Sequence, residues 1–344
     1  MAVYTNITAE ELRFFLESFD IGTLVSFRGI AEGIENSNFY VCTSKGHFIL
    51  TLYEKRVNAQ ELPWFLGFMQ HLASQGVICP QPVPDRQGQT LKELANRPAA
   101  ITTFLSGTWP RVVTLEHCRP LGRVLAQLHL AGQNYPQERA NSLSVGAWST
   151  LLLSCVQGVK TMPLRFDESQ RVKSGFFDSG FSESGFFHEL SEALSHIQAL
   201  WPQKDSSLLP RGQIHADLFP DNVFFHHHEI SGIIDFYFAC TDFLAYDIAI
   251  CLNAWCFSEE TAFNTAFACQ ILQGYEELRP LERAERQALP LLAQGAAMRF
   301  LLTRLYDWIH APITGGLVML KDPLEYLARL RFHQKIEDAH GYGV

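Results

Sequence analysis

The residue pattern of this 344-residue chain changes near residue 105, and the change limits the folds that it can adopt. Before residue 105, short runs rich in Val, Ile, Phe and Tyr alternate with turn residues, as antiparallel strands do: VSFRGI, SNFYVCTS and HFILTLYE. Beyond residue 110, the apolar residues mostly recur at helical spacing. We therefore predict an α+β fold of two lobes, a small antiparallel β-sheet lobe over 1–105 and a larger, mainly helical lobe over 106–344, with a cleft between them.

Several local signals refine this outline. Thr8 and Glu11 have the spacing of a capping box at the start of a helix. The sequence SKG at 44–46 predicts a hairpin turn, and Gly76 predicts the end of the helix before it. Residues 160–185 are rich in Ser and Gly and weakly patterned, which predicts a long loop or an insertion.

Composition narrows the class of partner. The net charge is -9 and Lys and Arg do not cluster, so the chain lacks the basic surface that nucleic-acid binding needs. No run approaches the roughly 18 apolar residues of a membrane span, and the first twenty residues lack the features of a signal peptide. The eight cysteines are scattered, which is typical of reduced thiols rather than of a zinc site or a disulfide framework. We expect a cytoplasmic protein with a small-molecule substrate and no nucleic-acid or membrane partner.

Polar side chains interrupt two apolar, strand-like runs around residues 214–238. IHADLFPDNVFF contains His215, Asp217 and Asn222, and SGIIDFYF contains Asp235. An aspartate beside a substrate hydroxyl can accept its proton, and an amide oxygen with a second carboxylate can hold Mg²⁺. The pattern predicts Asp217 as the base and His215 as a residue that orients the loop. It predicts Asn222 and Asp235 as metal ligands. The alternative is a buried turn whose Asp and Asn bind backbone amides.

The spacing H-x-D-x-x-x-x-N matches the catalytic loop of kinases, and I-I-D-F stands in the place of their D-F-G. Over longer blocks, such as GQIHADLFPDNVFF and SGIIDFYFACTDFLAYDIAICLNAWCF, the chain resembles the aminoglycoside phosphotransferase-like kinases and, among them, most closely the homoserine kinases. The similar blocks cover most of the chain except about 160–200. The resemblance implies a protein-kinase-like fold with ATP and Mg²⁺ as cofactors. It also implies phosphorylation of the side-chain hydroxyl of homoserine, a step toward threonine.

In such a fold, the segment RGIAEGIENSN would form the hairpin that covers the phosphates of ATP. Its glycines allow close approach of the backbone, and its amides can face phosphate oxygens. The residues assigned to this contact are Gly29, Gly33, Asn36, Ser37 and Asn38. The segment lacks the form G-x-G-x-x-G, and a plain β-turn is the alternative.

Kinases of this architecture commonly carry a Lys or Arg on the third strand, paired with a Glu on the following helix. This chain has Thr51 at the strand position and Glu61 at the helix position. Lys45, Lys55 and Arg56 could approach the phosphates instead, although each is more typical of a solvated surface charge.

The strand PAAITTFLSG would connect the two lobes and bind adenine through its backbone. Apolar side chains from each lobe would hold the two faces of the base. The residues assigned to adenine are Thr103, Phe104 and Leu105 on the backbone, with the side chains of Ile49 and Ile234.

Homoserine is a zwitterion with a hydroxyl group, so its site needs one partner for the carboxylate and another for the ammonium. Arginine suits a bidentate contact with a carboxylate. Arg299 lies in the apolar helix AAMRFLLTRLYDWIH, and Arg304 lies about 140° further round that helix. We predict both as acceptor-binding residues, with a structural ion pair such as Arg304 with Asp307 as the alternative.

Three residues that follow Asp235 could line the same cavity: Tyr237, Asp242 and Trp255. Asp247 is predicted to brace the catalytic loop or to begin a helix. The three histidines at 226–228 predict a surface turn, because neighbouring side chains on a strand point to opposite faces and cannot all bind one metal.

Two alternatives remain open at this point. One keeps the fold and the chemistry but changes the acceptor to choline, a sugar or an aminoglycoside. The other is a non-catalytic, nucleotide-binding pseudokinase, which the missing strand cation favours and the intact Asp217, Asn222 and Asp235 oppose. The sequence does not define the oligomeric state.

Overall fold

The computed structural model describes residues 5–30, 36–54, 58–161, 183–203, 208–258, 262–310 and 320–343. The strands of the small lobe are β1 (Leu24–Gly29), β2 (Ser37–Thr43), β3 (Gly46–Leu52), β4 (Lys92–Leu94) and β5 (Arg97–Thr103). They form one antiparallel sheet in the order β1-β2-β3-β5-β4. Helix α1 (Ala9–Leu16) precedes the sheet, and α2 (Leu62–Ser74) lies between β3 and β4. The predicted antiparallel sheet with one inserted helix is confirmed.

The helix cap, the hairpin turn and the helix end predicted for the small lobe are present in the structure. The backbone N–H of Glu11 donates to the Thr8 hydroxyl at 3.2 Å, and the Thr8 N–H donates to the Glu11 carboxylate at 2.7 Å, which completes the capping box of α1. Thr43 pairs with Gly46 across the hairpin turn. Gly76 has a φ of +87° just after α2, where a left-handed residue ends many helices.

Alternation of side chains gives the sheet two different faces. Along β3, Leu50 and Leu52 are fully buried in a core that they share with α1. Thr51, between them, points to the opposite face with its cross-strand neighbour Ala100, and Ala100 belongs to the core of the larger lobe. The face that carries Ile49 and Thr51 is therefore the one turned toward that lobe.

The larger lobe is mainly helical, as predicted. Its helices are α3 (Leu115–Gly132), α4 (Val145–Thr161), α5 (Glu183–Leu200), α6 (Leu244–Trp255), α7 (Thr265–Glu276), α8 (Arg283–His310) and α9 (Leu324–His333). The ends of the segment 160–185, which the sequence predicts as a loop, belong to α4 and α5, and residues 162–182 lie outside the described residues.

The strand-like runs of the larger lobe are shorter than their apolar patterns predict. They form two separate antiparallel pairs, β6 (Arg211–Ile214) with β9 (Cys240–Phe243), and β7 (Val223–His226) with β8 (Glu229–Ile233). Single turns of 3-10 helix interrupt the runs at Pro220–Asn222 and Phe236–Phe238. The functional polar residues therefore lie in the gaps between strands. The histidines at 226–228 are exposed at the turn between β7 and β8, as predicted. A further short pair is β10 (Phe257–Ser258) with β11 (Ala262–Phe263).

Helix α2 shares its hydrophobic core with the larger lobe, although it lies within the first hundred residues. Leu62, Phe65 and Phe68 of α2 belong to one buried cluster with the helices of the larger lobe, whereas α1 and one face of the sheet form a second cluster. Helix α2 also contacts α3 and the 3-10 turn at 236–238. The sheet is thus held between α1 on one side and the larger lobe on the other.

All eight cysteines are free thiols, and six of them are buried. Burial raises the pKa of the Cys79 and Cys118 thiols to about 12, so these groups stay protonated at neutral pH. Among the helices that the structure describes, none has the length and the apolarity to cross a membrane.

Two glycines allow a close contact between helices α3 and α7. A Cβ atom on Gly122 of α3 would lie 2.0 Å from the carbonyl oxygen of Ile271 on α7, and one on Gly274 of α7 would lie 2.2 Å from the carbonyl oxygen of Arg119 on α3. Backbone atoms cannot move aside as a flexible side chain can. The close packing of α3 on α7 therefore depends on the absence of a side chain at both positions.

Gly122→Ala is expected to lower the free energy of unfolding by about 2 kcal/mol, because the added methyl group forces the two helices apart. Gly146→Ala on α4 is the matched control, since a Cβ there meets nothing within 4 Å, and its stability should be unchanged or slightly higher. Urea unfolding of both variants makes the comparison. Equal stability of the two variants would contradict the proposed contact.

Candidate active site

One buried carboxylate holds the backbone of the loop that carries Asp217. Asp247, in the first turn of α6, accepts hydrogen bonds from the backbone N–H groups of His215 at 2.7 Å and Ala216 at 2.8 Å, one on each carboxylate oxygen. Ala216 has a φ of +61°, a left-handed conformation that costs free energy for any residue but glycine. The two bonds keep this turn in place. The bracing role predicted for Asp247 is confirmed.

A chain of hydrogen bonds runs from this carboxylate to α7 and α8. His129 lies between Asp247 and Tyr275, with Nε2 3.2 Å from the carboxylate and Nδ1 2.7 Å from the phenol oxygen. Arg279 donates to the same phenol oxygen at 3.1 Å and pairs with Glu285 at 2.9 Å. Because Arg279 can only donate, the phenol donates to His129 and His129 donates to Asp247. Burial raises the pKa of Asp247, but the bond from His129 and the surrounding donors lower it overall.

His215 ties the catalytic loop to the neighbouring hairpin. Its Nε2 lies 2.9 Å from the carbonyl oxygen of Ile234, and its Nδ1 lies 3.3 Å from the backbone nitrogen of Asp217. A carbonyl only accepts and a backbone N–H only donates, so the imidazole is neutral with its proton on Nε2. Burial lowers the pKa of His215, which favours the same form. These contacts fit the orienting role predicted for this residue.

Asp217 and Asn222 lie side by side between β6 and β7. The Nδ2 of Asn222 donates to the backbone carbonyl of Asp217 at 2.8 Å and lies 3.4 Å from its carboxylate. Because the nitrogen end of the amide faces Asp217, its oxygen is left for another partner. The backbone N–H of Ile234 donates to the Asn222 carbonyl at 2.9 Å, and Asp235 is the next residue in the chain. The β7–β8 hairpin thus brings the three predicted oxygen donors into one neighbourhood.

The oxygen atoms of this group suit a divalent cation. Burial raises the pKa of Asp217 well above its usual value, with Arg299 opposing the rise and the nearby Asp235 adding to it. Asp235 is exposed and has a left-handed backbone with a φ of +67°. Carboxylate and amide oxygens are the hard ligands that Mg²⁺ prefers. The residues therefore fit the metal site predicted for Asn222 and Asp235.

Arg299 reaches the catalytic loop from α8. The residue is 2% exposed, and its Nη1 donates to the carbonyl oxygen of Ala216 at 2.6 Å. The guanidinium lies 4.5 Å from the centroid of the Phe300 ring, and the side chain also forms a hydrogen bond with the Tyr246 phenol. A buried guanidinium beside Asp217 can receive an anionic group of a ligand.

Arg304 contacts α9 rather than the catalytic loop. Its Nη1 donates to the Glu325 carboxylate at 2.7 Å and to the backbone carbonyl of Asp322 at 3.0 Å. The structural ion pair that was the alternative for Arg304 is therefore present, with Glu325 as the partner. A direct contact of Arg304 with the acceptor is not retained, because this pair occupies the guanidinium.

Two residues of α9, Tyr326 and Arg329, pack near Arg304 and do not follow from the sequence pattern. The guanidinium groups of Arg304 and Arg329 each lie 4.4 Å from the centroid of the Tyr326 ring. The one sequence signal that relates the two is their spacing, since Tyr and Arg three residues apart lie on one face of a helix.

Two residues predicted to line the acceptor cavity are engaged with the protein itself. Trp255 is 1% exposed, and its indole N–H donates to the carbonyl oxygen of Leu218 in the catalytic loop at 2.8 Å. Asp242 is equally buried and accepts a hydrogen bond from the Asn141 side chain at 2.8 Å. Both side chains support the backbone around the site, which corrects their predicted contact with the acceptor.

Thr51 occupies the strand position where kinases of this architecture commonly carry a Lys or Arg, and neutral hydroxyl groups surround it. Thr51 donates to the Asn38 side chain on β2 at 2.8 Å. Tyr237, two residues after Asp235, has its hydroxyl 3.0 Å from that of Tyr53 and also contacts Thr51. Burial raises the pKa of Tyr53 to about 12 and that of Tyr237 well above its usual value. A network of neutral groups therefore links β3 to the turn that carries Asp235, and Tyr237 belongs to this network.

Glu61 pairs with an arginine of the larger lobe and not with a cation on β3. Arg139 donates to the Glu61 carboxylate from Nη2 at 2.7 Å and from Nε at 3.1 Å. Its Nη1 donates to the carbonyl oxygen of Ala239 at 3.0 Å. The carboxylate therefore joins the start of α2 to the segment after the 3-10 turn at 236–238, and a contact of Glu61 with the nucleotide stays a prediction.

Part of the predicted phosphate-binding segment points into the small lobe. The Ser37 hydroxyl is fully buried and donates to the Glu54 carboxylate at 2.7 Å. The Asn36 side-chain oxygen accepts the backbone N–H of Glu54 at 3.3 Å. The alternation along β2 turns Ser37 inward, so the prediction that these two side chains bind phosphate is corrected. Gly29 ends β1, and Gly33 lies outside the described residues.

One of the three candidate replacements for the strand cation lies within the described residues. Lys45 forms an exposed ion pair with Asp20 at 2.6 Å, as expected of a surface charge. Lys55 and Arg56 lie outside the described residues.

The segment that connects the two lobes at the end of β5 is hydrogen-bonded to a neighbouring chain segment on each side. The backbone N–H groups of Thr103 and Phe104 donate to the carbonyl oxygens of Gln81 at 2.9 Å and His47 at 3.3 Å. The Leu105 amide makes no such bond within the described part of the chain, so it is the amide of the three that remains for adenine. Ile49 and Ile234, the predicted apolar contacts of the base, are both half-buried.

Asp217, Asn222 and Asp235, placed in a helical lobe next to a small antiparallel sheet, have the arrangement expected of a kinase-like phosphotransferase of two lobes. The family model described as APH, phosphotransferase enzyme family, matches residues 26–281. The chain belongs to this phosphotransferase family.

Curated relatives match the chain over its whole length. A homoserine kinase of Gluconobacter oxydans is 57% identical over 335 residues, which cover 97% of this chain and 98% of that protein. A homoserine kinase of Gluconacetobacter diazotrophicus is 54% identical, with complete coverage of both chains.

Solved structures share the fold at low identity. An amicoumacin kinase in complex with AMP-PNP, Ca²⁺ and Ami has a TM-score of 0.66 at 16% identity, covering 96% of this chain and 93% of that one. A microcompartment-associated aminopropanol kinase has a TM-score of 0.63 at 18% identity, covering 95% of this chain and 97% of that one. Both likenesses concern the fold alone.

Asp247→Asn is expected to lower the free energy of unfolding by about 3 kcal/mol, because an amide cannot accept from both loop N–H groups and from His129. Tyr275→Phe, which removes a hydroxyl further along the same chain of bonds, should cost only about 1 kcal/mol. Urea unfolding at neutral pH measures both changes. If the two variants lost the same stability, Asp247 would not be the central support of the loop.

Proposed function

We propose that this protein transfers the γ-phosphoryl group of ATP to the side-chain hydroxyl of L-homoserine, giving O-phospho-L-homoserine and ADP. The observation that carries the proposal is the buried guanidinium of Arg299 next to Asp217, because it sets a positive charge beside the base. An acceptor with a hydroxyl and a carboxylate on one short chain satisfies both groups. The full-length similarity to proteins named homoserine kinase supports this choice of acceptor.

Asp217 acts as the general base in this proposal. Its carboxylate accepts the proton of the homoserine hydroxyl while the hydroxyl oxygen forms a bond to the γ-phosphorus. The bond from that phosphorus to the bridging oxygen breaks, and ADP leaves. His215 and Asp247 hold the backbone that leads into the reacting carboxylate, so the base is positioned before the acceptor binds.

The nucleotide would lie between the lobes with its phosphates near Asn222 and Asp235. These two residues would hold Mg²⁺, which when bound neutralises charge on the β- and γ-phosphates. Adenine would lie between Ile49 and Ile234 and bond to the Leu105 amide. The backbone at Gly29 and the side chain of Asn38 would approach the phosphates from the small lobe.

The alternative acceptors fit the site less well. Choline and aminoglycosides are cations, which the Arg299 guanidinium would repel. A neutral sugar would offer that guanidinium no anionic group of its own.

A coupled assay of ADP release tests the reaction with ATP, Mg²⁺ and L-homoserine, beside choline, sugars and an aminoglycoside. We expect turnover with homoserine and a fall in kcat of about a thousandfold in Asp217→Asn, with unchanged ATP affinity. Asp20→Asn removes an exposed surface carboxylate and is the control that should keep full activity. Near-normal turnover of Asp217→Asn would refute the base assignment, and turnover with another acceptor alone would refute the substrate.

Arg299→Gln is expected to raise the KM for homoserine at least about tenfold and to change the KM for ATP much less, since the lost charge faces the acceptor. The matched control is Arg331→Gln, which removes an arginine paired with Glu189 away from the catalytic loop. Steady-state kinetics with each substrate varied in turn separate the two constants. Equal increases in both KM values would remove Arg299 from the acceptor site.

A further inference from the structure

An exposed ion pair joins the catalytic loop to the segment that precedes α9. The ammonium of Lys321 lies 3.6 Å from the carboxylate of Asp221, which stands four residues after Asp217 in the chain. At this distance the two groups attract each other without forming a hydrogen bond. Their side chains are 58% and 48% exposed, so a ligand in solution can reach both charges. Because an exposed pair of this kind contributes little to stability, another partner can replace it at low cost.

The ammonium of Lys321 also contacts the catalytic loop through an aromatic ring. It lies 5.3 Å from the centroid of the Phe219 ring, and Phe219 follows Asp217 by two residues. The Phe219 ring packs at 4.9 Å against the ring of Phe300, which lies 4.5 Å from the Arg299 guanidinium. Two packed rings therefore lie between an exposed cation and a buried one.

Both charges of the pair act on the proposed base. Burial raises the pKa of Asp217, and the charge of Arg299 opposes this rise most strongly. The charge of Lys321 opposes the rise as well, whereas the charge of Asp221 adds to it. Electrostatic effects weaken with distance, so the pair lies near the carboxylate of Asp217. Asp217 is itself half-buried and accessible to a ligand.

Lys321 and Arg299 differ in what a ligand can reach. Arg299 is 2% exposed, and its side chain bonds to the Ala216 carbonyl and to the Tyr246 phenol. In the part of the chain that the structure describes, neither Lys321 nor its partner carboxylate makes a side-chain hydrogen bond. A ligand that comes from solvent therefore meets the exposed pair before it meets Arg299.

We propose that Lys321 and Asp221 bind the charged head of an α-amino-acid acceptor, with Lys321 at its carboxylate and Asp221 at its ammonium. The inference rests on the proposed function, since it names the residues that recognise the acceptor of that reaction. A zwitterion placed between the two side chains replaces one weak ion pair by two charge-assisted contacts. In homoserine, two methylene groups separate this head from the hydroxyl, so the hydroxyl can reach Asp217 while the head stays at the pair. The buried charge of Arg299 favours the same carboxylate at longer range.

Two analogues of homoserine each lack one of the two charged groups. 3-Amino-1-propanol keeps the hydroxyl chain and the amine without the carboxylate, and 4-hydroxybutanoate keeps the hydroxyl chain and the carboxylate without the amine. ADP release measures kcat/KM for the three acceptors with wild-type enzyme, Lys321→Gln and Asp221→Asn. Where turnover of an analogue is too slow, calorimetric Kd values give the same comparison.

The two variants are expected to differ in which analogue they lose. Lys321→Gln should lower kcat/KM for homoserine and 4-hydroxybutanoate about tenfold or more and leave that for aminopropanol within about twofold. Asp221→Asn should lower kcat/KM for homoserine and aminopropanol by a similar factor. It should leave 4-hydroxybutanoate unaffected or improved, because it removes a charge that repels the carboxylate. Lys321→Arg keeps the charge and should retain most of the activity with homoserine.

A charge-matched control separates this contact from a general change of surface charge. Lys335→Gln removes an exposed lysine beyond the end of α9 and should leave all three constants unchanged. Because Lys321 and Asp221 are exposed, their variants should also keep the melting temperature of the wild-type protein.

Several results would overturn the inference. An equal loss with all three acceptors in either variant would place that residue at the phosphoryl group or in the support of the loop. An effect of Lys321→Gln confined to the KM for ATP would assign the lysine to the nucleotide. The same selectivity in both variants would mean that the pair acts only as a structural contact, and unchanged constants in both would exclude any role in binding. Failure of the proposed function is visible separately, as an inability of the wild-type enzyme to phosphorylate homoserine.

Discussion

The catalytic loop depends on the two backbone hydrogen bonds that the Asp247 carboxylate accepts. A buried charge is costly unless donors surround it, and here the donors are the N–H groups of His215 and Ala216 together with the His129 ring. Because two of the three donors are main-chain groups, the carboxylate determines the path of the backbone directly. The left-handed conformation of Ala216 follows from this path, and it directs the carbonyl oxygen of Ala216 to Arg299. Asp217 and the guanidinium beside it are therefore both held in place by Asp247.

Positive charge is distributed unequally in the two halves of the site. Around Thr51 the described contacts join hydroxyl and amide groups of Asn38, Tyr53 and Tyr237, which carry no charge at neutral pH. On the acceptor side, Arg299 is buried against the catalytic loop. Phosphate charge would then be met mainly by a metal ion and backbone amides, whereas the acceptor would meet fixed guanidinium groups. This distribution suits a small anionic group on the acceptor.

The sequence predicted those features that depend on local spacing. The lobes, the antiparallel sheet, the cap of α1 and the short distance between Asp217 and Asn222 all follow from periodicity or from neighbours in the chain. Ion pairs between residues far apart in the sequence could not be predicted from it, because only the packed tertiary structure brings the two partners together. Glu61 meets Arg139 through the contact of α2 with the larger lobe, and Arg304 meets Glu325 because α8 and α9 pack together. The burial of Ser37 was accessible in principle from the alternation along β2.

Because α2 packs in the core of the larger lobe, it would stay with that lobe if the two lobes moved relative to each other. Apolar side chains of α2 and the pair of Glu61 with Arg139 attach this helix to the larger lobe, while α1 shares its own core with the sheet. A rocking motion that admits or releases the nucleotide would therefore swing α1 and the sheet as one unit past a stationary α2. Strand β3 would slide against the turn at 236–238 during such a motion. The hydrogen bond between the Tyr53 and Tyr237 hydroxyls crosses that boundary and would have to break during such a motion.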